Sequence, residues 1–232
     1  MRLHKFFVEE DLSQRDITLN DADLLSQIKN VLRLKEGDEI ILSDGRLTEA
    51  VAKIVSLKEK TLDVKVMATR QNTNEPKSHT ILYLAILKRE NFEIAVQKTT
   101  EVGIKEIVPI ITKRTVKFGL KTERLKKIIQ EAAEQSNRGK IPILLESMTL
   151  ESAFNHARGN DLNLFFHPVG QPLPPVSAKN QIGIFIGPEG GWDESEIMLA
   201  KNSSFQIIKM SPLSFRAETA ALVASYLVNH SS

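Results

Sequence analysis

The stretch Ile182 to Trp192, which reads IGIFIGPEGGW, decides the fold of this chain. Its apolar first half has the length and composition of a buried strand, and the glycine-rich loop GPEGG follows directly. Asp193 and Glu196 have the spacing of a capping box, which predicts that a helix begins right after the loop. Strand, glycine loop and helix in this order are typical of a ligand site in an α/β protein, although an ordinary glycine-rich turn gives the same pattern.

A second segment of the same kind lies nearer the C-terminus. Ile207 to Met210 is another short apolar run, and SPLSF (Ser211 to Phe215) and RAETA (Arg216 to Ala220) follow it, the latter opening the last predicted helix. Both loops therefore follow the carboxyl end of a predicted strand. Open α/β sheets bind their ligands at that edge, so the two loops are predicted to form one site.

Composition excludes several classes of protein. The chain has 232 residues and no cysteine, which excludes disulfides, thiolate metal sites and cysteine nucleophiles. Its 5 histidines are scattered without ligand-like spacing, so we predict no metal site. No apolar stretch is long enough to span a membrane, and the N-terminus lacks the apolar core of a signal peptide, which predicts a cytoplasmic protein that does not bind membranes.

The distribution of charge is more informative than its sum. A formal net charge of +2 does not by itself indicate nucleic acid binding. Basic residues nevertheless cluster between Lys113 and Lys127, where Glu123 is the only acid. This cluster is either a solvated helix face or an edge that contacts RNA phosphates.

Two domains joined by a linker are predicted. Residues 1–68 read as mostly β with one helix, and short strands of this kind close naturally into a small β-barrel. Residues 69–77 contain no large aliphatic side chain and are predicted to form the linker. Residues 78–232 alternate strands and helices, which predicts an α/β fold with a parallel sheet covered on both faces. The predicted strands of this domain are 81–87, 107–111, 143–145, 162–166, 182–186 and 207–210.

Together the GPEGGW loop and SPLSFRAETA resemble the two C-terminal signature segments of the SPOUT methyltransferases, and specifically of the RsmE family. That family methylates N3 of a uridine in small-subunit (16S) ribosomal RNA. The resemblance extends over nearly the whole chain through four further segments: VLRLKEGDEI (31–40), QKTTEVG (97–103), IVPI (107–110) and EAAEQSNR (131–138). It implies a PUA-like RNA-binding β-barrel followed by a SPOUT domain whose mostly parallel sheet contains a deep trefoil knot, and it implies a homodimer.

The resemblance also implies the cofactor, S-adenosylmethionine, held by the knot loops. No GxGxxG follows the first predicted strand of the second domain and no GxxxxGK[ST] occurs, which argues against a Rossmann dinucleotide site and a P-loop. The residues implied to bind the cofactor are His167, Ile186, Gly187, Pro188, Glu189, Gly190, Met210, Pro212, Leu213 and Ser214. Within the loop, Gly190→Val is predicted to block binding sterically.

Chemistry at uridine N3 sets the requirements for catalysis. The weakly acidic imide must lose its proton, so the site must supply positive charge, a general base, or both. Arg216, next to the cofactor loop, is the first candidate to stabilise the anion, and its alternative role is an ion pair with Glu218. Glu189 is predicted either to act as base or substrate acceptor or to brace its own loop, and Arg138 to reach the RNA or the site. The predicted partner is ribosomal RNA within the assembled small subunit. The residues predicted to bind it are Arg2, Lys5, Arg33, Lys88, Arg89, Arg114 and Arg138.

Two positions depart from the family pattern LGPRILRTETA. Ser211 stands in place of a glycine and Leu213 in place of an arginine, whose role is thereby lost. Two alternatives to an RsmE enzyme follow: a SPOUT methyltransferase that acts on another RNA, and a non-catalytic RNA-binding protein with this fold. The intact GPEGG loop and Arg216 favour an active enzyme.

Overall fold

The computed structural model describes residues 3–116 and 119–230, which form two compact units. The first comprises the described residues up to Glu75 together with Ala133–Ile141, and the second comprises Pro76–Ala132 and the described residues from Pro142 onward. The linear division predicted from the sequence does not include this return of residues 133–141 to the first unit. The predicted linker also begins too early, because Thr69 to Gln71 are the end of a strand.

In the first unit, the described residues form a 5-stranded sheet. Its strands are β1 (His4–Phe7), β2 (Asp16–Leu19), β3 (Glu39–Ser43), β4 (Thr48–Leu57) and β5 (Leu62–Gln71), in the order β1-β3-β4-β5-β2. β1 and β3 are parallel and the other pairs are antiparallel. Helix α1 (Ala22–Ser26) continues into a π-helical turn (Gln27–Val31), and the Asp21 side chain caps it by accepting from Leu24 N at 2.7 Å. The prediction of a mostly β unit with one helix therefore agrees with this architecture.

Two basic residues predicted to touch RNA are buried inside this unit. Lys5 is 5% exposed; its ammonium is paired with Glu49 and donates to Arg138 O at 2.6 Å. Arg138 is 4% exposed, and its Nη2 donates to Glu75 Oε2 at 2.7 Å. Buried charges require such partners, and the charged groups of Lys5 and Arg138 are both engaged by them. The structure thus does not support RNA contact by Lys5, nor the RNA-binding and catalytic roles predicted for Arg138.

The pairing of Glu75 makes the first unit sensitive to acid. Burial works to raise the pKa of this carboxyl, but the hydrogen bond and charge of Arg138, with the N–H groups of Gly139 and Lys140, hold the pKa below its usual value. A carboxyl whose folded pKa is lowered contributes stability that is present above its unfolded pKa and is lost as the pH falls.

We expect Arg138→Ala to lower the free energy of unfolding by about 3 kcal/mol at neutral pH, because it leaves the Glu75 carboxylate buried without its counter-ion. Urea denaturation measures the loss, which should shrink as acid protonates Glu75. Arg158→Ala is the matched control, since Arg158 is exposed and forms no ion pair with the described residues, and it should cost less than about 0.5 kcal/mol. Equal losses in the two variants would contradict the assignment.

The second unit is an α/β structure. Its strands are β6 (His79–Ala85), β7 (Glu106–Ile111), β8 (Ile143–Leu144), β9 (Met148–Thr149), β10 (Leu162–Gln171), β11 (Gln181–Ile186) and β12 (Gln206–Ile208). Its helices are α2 (Arg89–Glu101), α3 (Thr122–Gln135), α4 (Leu150–His156), α5 (Glu194–Asn202) and α6 (Ala217–His230), with a 3₁₀ turn at Ala157–Gly159. The last residues of α3 group with the first unit.

Among the described residues, the sheet of the second unit runs β12-β10-β11-β6-β7-β8, with β9 also beside β7. Each of these pairs is parallel. Helical connections between parallel strands place helices on the faces, so both faces of the sheet are buried. The parallel sheet predicted from alternating strands and helices is confirmed, and strands occur in all six predicted ranges.

Alternate residues of each strand enter two separate cores. Leu82 and Leu84 of β6 pack in one core with residues of α2, α3 and α6, whereas Tyr83 packs in the other with residues of α4 and α5. The second core is rich in aromatic rings, and Tyr83 stacks on Phe185 with ring centroids 4.2 Å apart. These cores fix the strand ends that carry the site.

The predicted capping box at the start of α5 is confirmed. The Asp193 side chain accepts from backbone N–H in the first turn, and the Glu196 carboxylate accepts from Asp193 N at 2.8 Å. Because α5 begins there, the loop from Gly187 to Trp192 is held between a fixed strand end and a fixed helix start. Of the helices that the structure describes, none is long and apolar enough to cross a membrane.

Candidate methyl-transfer site

A cavity of about 760 Å³ opens at the carboxyl edge of the second unit's sheet. The segments that line it lie within β10 or at and after the ends of β6, β7, β11 and β12, and these five strands are neighbours in the sheet. Its volume lies within the range of small-molecule sites, roughly 300–1,000 Å³. The predicted residues that line it are Lys88, Arg114, His167, Ile186, Gly187, Pro188, Glu189, Met210, Leu213, Ser214 and Arg216.

Apolar side chains at the strand ends line the deep part of the cavity. Ile186 and Ile208 are the buried last residues of β11 and β12, Phe166 is a buried residue in the middle of β10, and Trp192 also lines the cavity. The Trp192 indole is fixed, because its Nε1 donates to Phe166 O at 2.9 Å and its ring packs 4.2 Å from that of Phe165. Such a surface suits the flat or apolar part of a ligand.

Gly187 is required by the position of that indole. A Cβ at Gly187 would lie 2.9 Å from Cε2 and 3.0 Å from Nε1 of Trp192, closer than carbon atoms normally approach. A Cβ at Gly190 would meet only Arg114, at 3.6 Å, and Gly190 does not line the cavity. The close contact that a larger side chain would make was predicted at Gly190, but the structure has it at Gly187.

The Glu189 carboxylate braces the loop. Its Oε1 accepts from Lys88 N at 3.0 Å and from Asn91 Nδ2 at 3.3 Å, so it caps the start of α2, where Lys88 provides no side-chain cap. Burial works to raise the pKa of this carboxyl, but the hydrogen bonds from Lys88 N, from its own N–H and from Asn91 hold the pKa below its usual value. A carboxylate with a lowered pKa is a weaker base, which favours the bracing interpretation over the catalytic one.

We expect Glu189→Gln to keep turnover within about tenfold of the wild type, because removal of a general base typically costs about 10²- to 10⁴-fold. Glutamine retains an oxygen that can accept from Lys88 N. Steady-state kinetics at saturating substrates test this. A hundredfold or greater loss with cofactor affinity intact would instead return Glu189 to the role of base.

The loop from Met210 to Arg216 forms another wall. In it, Leu213 N donates to Ser211 Oγ at 3.0 Å, so the serine hydroxyl at the first departure from the family pattern closes a local turn. The Arg216 side chain is exposed to the cavity and makes no hydrogen bond or ion pair with the described residues. The predicted alternative, an ion pair between Arg216 and Glu218, does not occur among them.

Comparison with known proteins agrees with this geometry. Family models of an RNA methyltransferase domain and of an RNA methyltransferase PUA domain match residues 73–229 and 28–67. Ribosomal RNA small subunit methyltransferase E of Mesomycoplasma hyopneumoniae is 31% identical over 95% of this chain and 96% of its own. The chain belongs to the RsmE family of RNA methyltransferases.

Solved structures related to this RsmE-family chain agree over its whole length. A methyltransferase from Legionella pneumophila in complex with S-adenosylmethionine has a TM-score of 0.91 at 27% identity, covering 100% of this chain and 98% of its own. The ribosomal RNA small subunit methyltransferase E from Neisseria gonorrhoeae, bound to S-adenosylmethionine, has a TM-score of 0.87 at 25% identity, covering 97% and 95%. The α/β architecture is thus shared with enzymes whose structures contain that cofactor.

Some predicted site residues of this RsmE-family chain lie away from the cavity wall. Gly190, Pro212 and Arg89 do not line it; Arg89 donates to Glu93 Oε1 at 3.1 Å. In the first unit, Arg33 is exposed in the left-handed backbone region, with φ of 55°. Arg2 lies outside the described residues.

Basic side chains do line the cavity. Lys88 and Arg114 are exposed there, and Arg114 Nη1 donates to Gly190 O at 2.9 Å. From the basic cluster, Arg124 is instead paired with Glu93 at 2.7 Å. Lys117 lies outside the described residues. Arg114 Nη2 also lies 3.7 Å from Asp193 Oδ2, so both arginines of the cluster have an acidic partner, and Arg114 is the one that lines the cavity.

Other lining residues were missed in the sequence of this RsmE-family chain. Phe166 and Ile208 are ordinary strand residues, and no local signal distinguishes a strand end that faces a cavity from one that faces core. Asn91 and Glu218 had a usable signal, because each is a polar residue in the first turn of a helix that follows a predicted loop. The missed lining residues are Asn91, Phe166, Gly191, Trp192, Ile208, Ser211, Phe215, Ala217, Glu218 and Ala220, whereas Pro168 lines the cavity beside the predicted His167.

Proposed function

We propose that this chain transfers a methyl group from S-adenosylmethionine to N3 of a uridine in small-subunit (16S) ribosomal RNA. One observation carries the proposal: the GPEGG loop and the loop after Met210 line a single cavity with Arg216, whose guanidinium is unpaired among the described residues. Membership of the RsmE family and the cofactor in two related structures support it.

The residues present fit the cofactor. The cavity has the volume of a small-molecule site, an apolar floor, and two loops whose backbone groups outside helix and strand can hydrogen-bond a ligand. When bound, S-adenosylmethionine supplies an electrophilic methyl group on a sulfonium. The residues that we propose hold it are His167, Ile186, Gly187, Pro188, Glu189, Met210, Leu213 and Ser214.

Arg216 is proposed to stabilise the anion that forms on the uracil ring when N3 loses its proton. A guanidinium is charged at neutral pH and offers donors in a planar fork that can reach a carbonyl oxygen. Lys88 and Arg114, exposed at the same cavity, are proposed to contact phosphates of the RNA and so to orient it.

Several finer features of the fold are part of the proposal. We infer a trefoil knot in the second unit and closure of the first unit's sheet into a PUA-like barrel, because the family resemblance implies both. We also infer a cytoplasmic homodimer. Exposed apolar side chains near the cavity support the dimer: Val169 is 78% exposed and Leu213, which lines the cavity, is 72% exposed.

Two measurements test the proposed function. Calorimetric titration with S-adenosylmethionine should give saturable binding, and incubation with methyl-labelled cofactor should label naked 16S ribosomal RNA or small subunits, with N3-methyluridine as the product found by mass spectrometry. Binding with a methylated nucleoside in a different RNA would identify an enzyme with another target. Folded protein that binds RNA but not the cofactor would identify a non-catalytic RNA-binding protein, and either result overturns the proposal.

A further inference from the structure

Glu218, a residue that lines the cavity, has one carboxylate oxygen without a hydrogen-bond partner among the described residues. The residue lies in the first turn of α6, and its Oε2 is buried without a hydrogen bond to any part of the chain that the structure describes. A buried acceptor without a donor is destabilising because its lost hydration is not replaced, and the cost is greater when the acceptor is charged. Such an atom in a ligand site indicates that a donor arrives with the ligand.

Other groups that could accept a proton there are already engaged. Glu189 accepts from Lys88 N and Asn91, as described above. The Nδ1 atom of His167 lies 3.1 Å from Val169 N and 3.2 Å from Val169 O, so this ring nitrogen is engaged with the backbone in either tautomer. The titratable and charged side chains that line the cavity are Lys88, Arg114, His167, Glu189, Arg216 and Glu218. Of the two carboxylates that line the cavity, Glu218 is therefore the one with an oxygen that accepts no hydrogen bond from the described residues.

We propose that Glu218 is a catalytic residue that accepts the N3–H of the target uracil and takes its proton, an inference that rests on the proposed function. Breaking the N–H bond transfers the proton to the carboxylate oxygen and leaves the bonding pair on N3. That pair forms the new bond to the methyl carbon, while the bond between this carbon and sulfur breaks and leaves its electrons on sulfur. The atoms and charges balance, since an imide, a sulfonium and a carboxylate become an N-methyl imide, a thioether and a carboxylic acid.

The same pair of side chains selects the base. Uracil presents an N–H donor at N3 beside carbonyl acceptors, which match an acceptor in Glu218 and donors in Arg216. Cytosine N3 is an acceptor and would face the carboxylate oxygen without a hydrogen between them. A site that holds a buried polar group for one partner rejects an analogue that leaves the group unpaired.

Glu218→Gln tests the assignment, because the amide oxygen can accept the N3–H but cannot take the proton. We expect turnover of 16S ribosomal RNA to fall by about 10²- to 10⁴-fold. Affinity for S-adenosylmethionine by calorimetry, and for the RNA by fluorescence anisotropy with S-adenosylhomocysteine present, should stay within about threefold, a change of less than about 0.7 kcal/mol. Retained cofactor binding also shows that the variant is folded.

A substrate with a more acidic imide distinguishes a loss of proton transfer in Glu218→Gln from structural damage. In RNA transcribed with 5-fluorouridine, or at higher pH, N3 ionises more readily, so the loss in Glu218→Gln should shrink by at least about tenfold. Glu194→Gln is the matched control, an exposed carboxylate in the first turn of α5 outside the cavity, and it should behave as wild type.

The contrary outcomes are distinct. Wild-type turnover in Glu218→Gln, or an equal loss on both RNAs at every pH, would overturn the role of Glu218 while the proposed function stands. A loss of cofactor affinity as large as the loss of turnover would make Glu218 part of the cofactor site, which also overturns it. Failure of the wild type to methylate uridine would remove the proposed function itself.

Discussion

Replacing Gly187 with valine is expected to lower affinity for S-adenosylmethionine by at least about a hundredfold. The new Cβ would lie 2.9 Å from the Trp192 ring, which cannot move cheaply because its Nε1 is bonded to Phe166 O and its faces are packed in an aromatic core. Overpacking of this kind costs about 3 kcal/mol, or about two factors of ten in affinity if it is relieved by deforming the cavity. Calorimetric titration measures the change.

The same substitution at Gly190 provides the control. It introduces the same side chain into the same loop, but the nearest atoms to its Cβ belong to Arg114 at 3.6 Å, which is an ordinary contact. We expect Gly190→Val to bind the cofactor within about fivefold of the wild type. Circular dichroism checks that both variants are folded. If Gly190→Val lost binding and Gly187→Val kept it, the geometry assigned to this loop would be incorrect.

The spacing of apolar residues in the sequence was sufficient to predict the α/β architecture of the second unit. Buried parallel strands are continuous apolar runs, such as Ile182 to Ile186, and amphipathic helices between them leave few other ways to bury both faces. The capping box at Asp193 was equally visible, because its two side chains bond backbone groups within a single turn. These features were predictable because they depend on interactions between residues that are close in the sequence.

Features that depend on contacts distant in sequence were not visible. Lys5 and Arg138 resemble any other basic residues in the sequence, and nothing nearby in the chain reveals that Glu49 and Glu75 will meet them in the interior. The grouping of residues 133–141 with the first unit likewise depends on contacts between residues that are distant in the sequence. The glycine loop that lines the cavity was visible in the sequence. The burial of one Glu218 oxygen without a partner among the described residues is a property only of the folded chain.

Arg216→Ala is expected to lower turnover by about 10²- to 10³-fold, which is the usual cost of removing one donor that stabilises a developing oxyanion. Its guanidinium bonds none of the described residues, so little stability should be lost with it. Affinity for S-adenosylmethionine should remain within about threefold. The comparison is made by steady-state kinetics on ribosomal RNA and by calorimetric titration of the cofactor.

The contrast between kcat and cofactor affinity decides the role of Arg216. An interaction made only in the transition state lowers kcat and kcat/KM together, whereas one that holds the substrate equally in both states raises KM alone. Arg216→Lys keeps the charge but loses the planar fork, so it should recover part of the lost turnover, and more of it if charge rather than geometry dominates. Equal losses of turnover and cofactor affinity in Arg216→Ala would place this side chain in the cofactor site, and the anion on the uracil ring would then need another donor, for which Lys88 and Arg114 are the other cations that line the cavity.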